Sequence, residues 1–241
     1  MAITGAGIGI GREIATRFAA LGAAVYGCDI DPAGLEDAAR AGVHTDVVDL
    51  RDRDAAAAWV HSVETRGGRA LDVLVNNAGG VAGQSSQPIE TVADADWDRI
   101  IDINLGATFA VSRAAVPAMK AARTGAIVNI SSGAALARSL TGVQAYCSAK
   151  HAVIGLTRQL AHELGPHGIR VNSVAPGLII TNTATQRQWA AYGAEKQRAL
   201  LDGIALRRLG RADEIANTVL FLASGLASFV NGQVLSVNGG Q

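Results

Sequence analysis

The sequence predicts an α/β fold: a doubly wound, Rossmann-like parallel sheet of about seven strands with helices on both faces. Three observations predict it. Short runs rich in Val and Ile alternate with longer segments of helical period, the pattern left by parallel strands and crossover helices. The first run ends in a glycine-rich turn, TGAGIGIG at 4–11, that opens into an amphipathic stretch carrying Ile14, Phe18 and Leu21. No Pro/Ser-rich linker and no solenoid-length repeat divides the chain, so residues 1–241 read as one domain.

Strands are predicted over Met1–Thr4, Ala24–Cys28, Val43–Asp46, Leu71–Asn76, Ala126–Ser131, Ile169–Val174 and Gln233–Val237. Helices fall between them near 10–22, 33–41, 52–66, 94–122, 145–165 and 212–223. The first strand has four residues before Gly5, against a usual length of about 5–6. Either the chain starts further upstream or the strand is trimmed at the end remote from the turn. Residues 178–209 fit neither pattern. They are long, polar and aromatic and follow a strand end, where substrate-covering segments occur.

Composition narrows the function classes. Twenty-one Lys+Arg balance 21 Asp+Glu, so the chain lacks the basic surface that nucleic acid or an anionic membrane would need. Charged residues are 17% of the total, below the usual ~25%, which implies surface covered in an oligomer. Cys28 and Cys147 are too few for a disulfide framework, and the five His share no ligand spacing, so no metal is expected. The N-terminus lacks the basic region and apolar core of a leader. Residues 215–241 are uncharged, but Asn217, Ser224, Gly225, Ser228, Asn231, Gly232 and Gln233 interrupt them too often for a membrane span. A cytoplasmic protein with a small-molecule substrate is expected.

The turn does not match GxGxxG, because Ile10 and Arg12 occupy the positions where the last Gly would stand. It matches TGxxxGxG through Thr4, Gly5, Gly9 and Gly11. That pattern gives left-handed backbone, a Cβ-free approach to a pyrophosphate, and a helix N-terminus facing the anion. Asp29 follows 18 residues after Gly11, the spacing at which an acid accepts hydrogen bonds from both hydroxyls of an adenosine ribose. The same carboxylate repels a 2′-phosphate, and no Arg or Lys stands at 5–11 or 28–34 to attract one, so NAD is favoured over NADP. Asp31 reads as a turn residue.

Further motifs follow in order: DV at 46–47, NNAG at 76–79, Asn104 in DINLGATF, NISS at 129–132, YCSAK at 146–150, PGLIIT at 176–181, and a terminal GRADEIANTVLFLAS…NGQVLSVNGG. With the glycine turn, they make the chain resemble the short-chain dehydrogenase/reductase family over essentially its whole length. The likeness is to its single-domain TGxxxGxG/YxxxK type. The family's longer epimerase and dehydratase branch carries TGxxGxxG instead.

The resemblance implies a catalytic tetrad of Asn104, Ser132, Tyr146 and Lys150. The chemistry agrees with it. Removing a proton from an unactivated alcohol needs a base near working pH, and a free phenol at about 10 is too weakly ionised. Lys150, one helical turn after Tyr146, would stabilise the phenolate together with the oxidised nicotinamide, Ser132 would hold the substrate oxygen, and Asn104 would fix a water linking Lys150 to solvent. For the cofactor, the resemblance implies Gly5, Gly9, Ile10 and Gly11 at the pyrophosphate turn and Asp29 with Ile30 at the adenosine ribose. It implies Asp46 and Val47 at the adenine, Asn77, Ala78 and Gly79 with Tyr146 and Lys150 around the nicotinamide ribose, and Ile179 and Thr181 at the carboxamide.

Two departures stand out. Ser132 lies 14 positions before Tyr146, where the family more often has 12 or 13, so GAALARSLTGVQA carries an extra residue and Ser131 stays open as an alternative. Asn238 replaces the family's usual Asp in the terminal turn. Substrate-pocket candidates are Ala134, Arg138, Val143, Gln144, Leu178, Thr183, Gln186, Trp189 and Tyr192. The expected reaction is reversible hydride transfer between NAD and a secondary alcohol or its ketone. Two alternatives are reduction of a 3-oxoacyl thioester, which usually uses NADPH, and a non-catalytic dinucleotide-binding scaffold, which would not keep the tetrad. The resemblance and the uncharged tail together imply a homotetramer.

Overall fold

The Val- and Ile-rich runs pair side by side and all in parallel, in the order β3-β2-β1-β4-β5-β6-β7. The computed structural model describes the backbone of residues 1–241 and every side chain except those of Ala184 and Gln188. In chain order the elements are β1 (Ala2–Thr4), α1 (Gly9–Ala20), β2 (Tyr26–Asp29), α2 (Pro32–Arg40), β3 (His44–Val47), α3 (Arg53–Gly67), β4 (Val73–Asn76), α4 (Asp94–Ile101), α5 (Ala107–Ala122), β5 (Gly125–Ile130), α6 (Gln144–Leu164), β6 (Ile169–Pro176), α7 (Thr183–Ala191), α8 (Gly193–Asp202), α9 (Ala212–Ala223) and β7 (Val234–Val237). Strand order reverses direction between β1 and β4. That switch point leaves a crevice at the carboxyl ends of the strands, where ligands bind in such sheets.

Alternation along each strand separates two cores. Ile3, Val75, Val128, Ile130 and Val174 face α1, α2 and α9, whereas Leu74, Ile127 and Val171 face α3, α5 and α6. Helix starts are fixed locally. Asp31 accepts from the Ala33 amide with Pro32 next to it, and Asp52 accepts from the Asp54 and Ala55 amides. Gly68, at φ 64°, closes α3.

The predicted elements are all present, with differences that bear on function. Strand β1 has three residues and is paired on both sides, by β2 and by β4. Strand β2 ends on Asp29 itself, which puts that carboxylate at the mouth of the crevice. The helix expected over 94–122 is a continuous helical path, but residues Asp102–Gly106 form a wide π turn between α4 and α5. The covering region is also more regular than its polarity suggests: it holds α7 and α8, started by a capping box between Asn182 and Thr185.

Close backbone approach dictates Gly11. A Cβ there would stand 2.0 Å from the Gly5 carbonyl oxygen and 2.3 Å from the Asn77 amide nitrogen. Gly67, by contrast, lies in the last turn of α3 with only the Tyr26 hydroxyl as near as 4.0 Å. Gly11→Ala is therefore expected to cost roughly 1–3 kcal/mol or more through overpacking. Gly67→Ala is expected to gain about 0.5–1 kcal/mol by restricting the unfolded chain. Urea unfolding of both variants against the natural chain checks the pair; equal stability of all three would contradict the packing argument.

Candidate active site

The crevice between the β1 and β4 ends has a volume of about 590 Å³ and runs from the tip of β2 to the start of α6. One wall is the glycine turn. Thr4 Oγ1 accepts from the Asn77 and Ala78 amides at 3.0 Å each, and Asn77 Nδ2 donates back to the Thr4 and Gly5 carbonyls at 3.1 and 3.0 Å. These four bonds tie the ends of β1 and β4 together. Above them α1 begins at Ile8 without a side-chain cap and without an acidic residue in its first turn. Its free amides, in the Ile8–Ile10 stretch that lines the crevice, are a ready anion seat.

Asp29 lines the far end of the crevice. Its Oδ2 accepts from the Gly7 amide at 2.9 Å and its Oδ1 from the Asp31 amide at 3.1 Å, which fixes the carboxylate while leaving lone pairs for a ligand hydroxyl. A Cβ on Gly7 would lie 2.8 Å from that same Oδ2. The uncapped helix end, the Cβ-free turn and the fixed acid together fit a dinucleotide.

At the other end Ser132, Tyr146 and Lys150 meet. Ser131, its neighbour, is buried and donates its hydroxyl to the Val174 carbonyl at 3.2 Å. Ser132 instead accepts from the Ala134 amide at 3.1 Å and hydrogen-bonds the Tyr146 hydroxyl. Lys150 is buried, donates to the Ile130 carbonyl at 3.0 Å, and stands 5.8 Å from the centre of the Tyr146 ring. Gly79 lets the pieces close up, since a Cβ there would sit 2.4 Å from Asn104 Oδ1 and 3.2 Å from Lys150 Nζ.

Asn104 sits within the π turn and is fully buried. A wide turn deprives carbonyls of their usual i+4 amide, and side chains take over here. Asn104 Nδ2 donates to the Ile100 carbonyl and to the Gly80 carbonyl, both at 2.8 Å, its Oδ1 accepts from the Gly80 amide at 3.0 Å, and Thr108 Oγ1 donates to the Asn104 carbonyl at 2.8 Å. Asn104 thereby fastens the 79–80 loop to the helix.

Burial acts on the pair in opposite directions. It pushes the Tyr146 hydroxyl above the ordinary phenol value, and the Ser132 hydrogen bond offsets part of that rise. It pushes Lys150 down to about 8. The protein alone thus favours a neutral phenol beside an amine that titrates close to neutrality.

Not every residue expected at the site lies on the crevice wall. Asp46 accepts instead from Trp59 Nε1 at 3.0 Å and from Arg66, and Val47 is exposed to solvent. The wall at that point is Val48, Asp49, Leu50 and Arg51, with Asp49 and Arg51 ion-paired. The pattern of an acid, an apolar residue and a polar residue two further on occurs twice, at 46–49 and at 49–52. Asp52 as the cap of α3 selects the second, a signal already present in the sequence. Ile30, Ile10, Ile179 and Thr181 do line the crevice, and Gly11 lies behind it against Gly5.

The substrate-pocket candidates are set back. Ala134 and Val143 are buried, Arg138 is exposed, Gln144 Nε2 donates to the Gln87 carbonyl at 2.8 Å, and Leu178 lines a separate depression beside Arg208 and Asn238. Thr183 and Gln186 are exposed, while Trp189 and Tyr192 stack edge to face within the covering helices, ring centres 6.2 Å apart. Gly80, Ala82, Ser132, Asn182 and Thr185 line the crevice together with Tyr146.

A parallel sheet with a dinucleotide crevice at its switch point and a Ser–Tyr–Lys group at one end defines a class of oxidoreductase. Comparison with known proteins narrows the class to a family. A family model described as enoyl-(acyl carrier protein) reductase matches residues 5–241. The (2S)-[(R)-hydroxy(phenyl)methyl]succinyl-CoA dehydrogenase subunit BbsD of Thauera aromatica is 41% identical over 245 residues, spanning 99% of this chain and 94% of that one. Among solved structures, levodione reductase superposes with a TM-score of 0.92 at 34% identity, covering 100% of this chain and 96% of its own. A 3-oxoacyl-[acyl-carrier protein] reductase with bound NAD from Brucella melitensis gives 0.85 at 36%, covering 99% and 89%. The chain belongs to the short-chain dehydrogenase/reductase family, whose members bind nicotinamide dinucleotides. Among the described residues, no helix is long and apolar enough to cross a membrane.

Lys150 gives the site a stability signature. Its folded value of about 8 lies below the free amine's 10.5, so between those values the unfolded chain binds a proton that the folded chain does not, and stability rises with pH. Lys150→Met removes the titrating group. The melting temperature of the natural chain is expected to gain on that of the variant from pH 8 to pH 10; a constant difference would contradict the burial argument.

Proposed function

We propose that the chain is an NAD-dependent dehydrogenase/reductase that interconverts a secondary alcohol and its ketone, with Tyr146 as the general acid/base. The observation that carries this reading is the meeting of Ser132, Tyr146 and Lys150 at one end of a crevice whose other end is the fixed carboxylate of Asp29.

In this reading the substrate oxygen lies between Ser132 and Tyr146, Ser132 orients it by hydrogen bond, and Tyr146 takes or returns its proton. A bound nicotinamide dinucleotide supplies the hydride acceptor or donor and, when oxidised, a positive charge. Lys150 places a second positive charge behind the phenol, and the proton exchanges with solvent through the crevice that Tyr146 and Lys150 line. Burial raises Tyr146 and lowers Lys150, so the residues by themselves hold the proton on the phenol, ready to act as the acid for ketone reduction.

Cofactor choice follows from charge. Asp29 faces the adenosine end, where Asp49 and Leu50 are the adenine-side wall, and Arg51 on that wall is already paired with Asp49. A 2′-phosphate there would meet a carboxylate and no free partner among the groups at the tip of β2. A second reading keeps the chemistry and changes the substrate to a 3-oxoacyl thioester; it draws on the similar Brucella reductase, itself a structure with bound NAD. The covering region about 178–209 is read as the substrate side of a single domain. Its first helix turn reaches the crevice through Asn182 and Thr185.

The test has two arms on a panel of secondary alcohols and ketones with NAD and NADP. Tyr146→Phe is expected to bind NADH while losing turnover by roughly 10² to 10⁴. Retained turnover would remove Tyr146 as acid/base. Asp29→Ala combined with Ile30→Arg is expected to weaken NAD and raise use of NADP. Equal use of both cofactors by the natural chain would contradict the role of Asp29.

We read the assembly as a cytoplasmic homotetramer. Phe229 is fully exposed and Leu226 83% exposed on the uncharged 215–241 tail, an apolar surface that a second copy would cover. Light scattering is expected to give the mass of four chains, and a stable monomer at working concentration would overturn it.

A further inference from the structure

The face of the sheet under α5 and α6 changes character just before the strands end. One layer is apolar, with Leu74 in register with Ile127 and Ile127 with Val171. The next layer on the same face, two residues on, is polar: Asn76 in register with Asn129 and Asn129 with Ser173. All three are buried, and so are Ser112 on α5 and Thr157 on α6.

A directed chain of hydrogen bonds links them. Asn76 Nδ2 donates to Ser112 Oγ at 3.0 Å and to Asn129 Oδ1 at 2.9 Å. Asn129 Nδ2 donates to Thr157 Oγ1 at 2.9 Å, and Thr157 Oγ1 donates to the Val153 carbonyl of its own helix at 2.8 Å. Ser173 Oγ closes the row on the Asn129 carbonyl at 3.0 Å. Helix α6 therefore touches the polar end of β5 twice, through Lys150 on the Ile130 carbonyl and through Thr157 on the Asn129 amide. Thr157 lies seven residues, two helical turns, beyond Lys150, on the same face.

Stability alone does not call for this arrangement, because a matched apolar pair can replace a buried hydrogen-bonded pair at little cost. A directional bond does something that an apolar pair cannot: it fixes rotation and register. We infer that the buried Asn129–Thr157 hydrogen bond is a positioning contact for the reaction, setting the rotation of α6 on β5 and thereby the reach of Tyr146 and Lys150 to Ser132. The inference rests on the acid/base reading of Tyr146, and neither Asn129 nor Thr157 touches substrate or cofactor in it.

Three variants test it: Thr157→Val, which keeps the shape and deletes the hydroxyl, Thr157→Ser, which keeps the hydroxyl, and the double variant Asn129→Leu/Thr157→Val, which substitutes an apolar pair. Turnover is measured with NAD and the panel alcohol that the natural chain oxidises fastest. NADH affinity is followed by fluorescence, and the tyrosine ring carbons of the cofactor-free chain are titrated by ¹³C NMR. Thr157→Val is expected to lose about 10- to 100-fold in kcat, the scale of a small misplacement at a reacting centre. NADH affinity should stay within twofold, and one tyrosine titration should move to higher pH as the Ser132 contact loosens.

Thr157→Ser should restore both readouts, and the double variant should regain melting temperature without regaining rate. A Thr157→Val chain with kcat within twofold and an unmoved tyrosine titration would overturn the inference. So would a double variant that recovers rate along with stability, which also decides the matter if Thr157→Val fails to fold. The two readings separate cleanly: turnover that survives Tyr146→Phe sinks the acid/base role itself, whereas loss in Tyr146→Phe with a silent Thr157→Val sinks only the positioning role.

Discussion

The carbonyl of Gly5 and the α-carbon of Gly11 are so close that no side chain fits between them, and the Asn77 amide fills the remaining space by bonding the Thr4 and Gly5 carbonyls. The crevice depends on this contact. It brings the N-terminus of α1 down onto the end of β1, and it joins β1 to β4 where the sheet's connections turn in opposite directions. The helix starts on Ile8, whose side chain has no acceptor to cap it, and its amides stay available to an anion. Gly7 and Asp29 repeat the logic one residue pair further out: the missing Cβ of Gly7 lets the carboxylate bond the turn.

The Tyr146 end of the crevice is built on the opposite principle, with polar groups sunk into the fold and bonded there. Asn104, in the π turn, bonds both the amide and the carbonyl of Gly80, and its own carbonyl accepts from the Thr108 hydroxyl. Lys150 is buried with a carbonyl rather than a carboxylate as its partner, which is why burial depresses it to about 8 instead of a salt bridge raising it. Tyr146 moves the other way for the same reason. Each group is made less willing to ionise, so by itself the pair holds its proton on the phenol.

Around this frame, the outer walls owe more to packing than to motif. Asp46 is drawn away from the crevice by Trp59 and Arg66 on α3, and Asp49 takes its place on the wall because Asp52 starts that helix three residues later. Residues 178–209 hold two helices: Thr185 and Asn182 cap the first, and the Trp189–Tyr192 contact and the Gln197 bond to the Trp189 carbonyl hold the pair together. Trp189 and Tyr192 pack on one another, while Asn182 and Thr185 line the crevice.

Much of this was legible in the sequence because it is local. Period-two and period-3.6 patterns mark the seven strands and the main helices, TGAGIGIG requires a close turn, and the four-residue step from Tyr146 to Lys150 puts both on one helical face wherever that helix goes. The spacing from Gly11 to Asp29 likewise carried the acid to the end of the second strand. Tertiary structure decided what depends on registers between distant segments: the π turn at Asn104, the bond of the Ser131 hydroxyl to the Val174 carbonyl, the presence of Asp49 rather than Asp46 on the crevice wall, and the polar row that binds Asn76, Asn129 and Thr157 across 81 residues of chain. The physical reason is that a pattern along the chain fixes which face a residue is on. The partner it meets there is set by strand order and helix packing, which no local window contains.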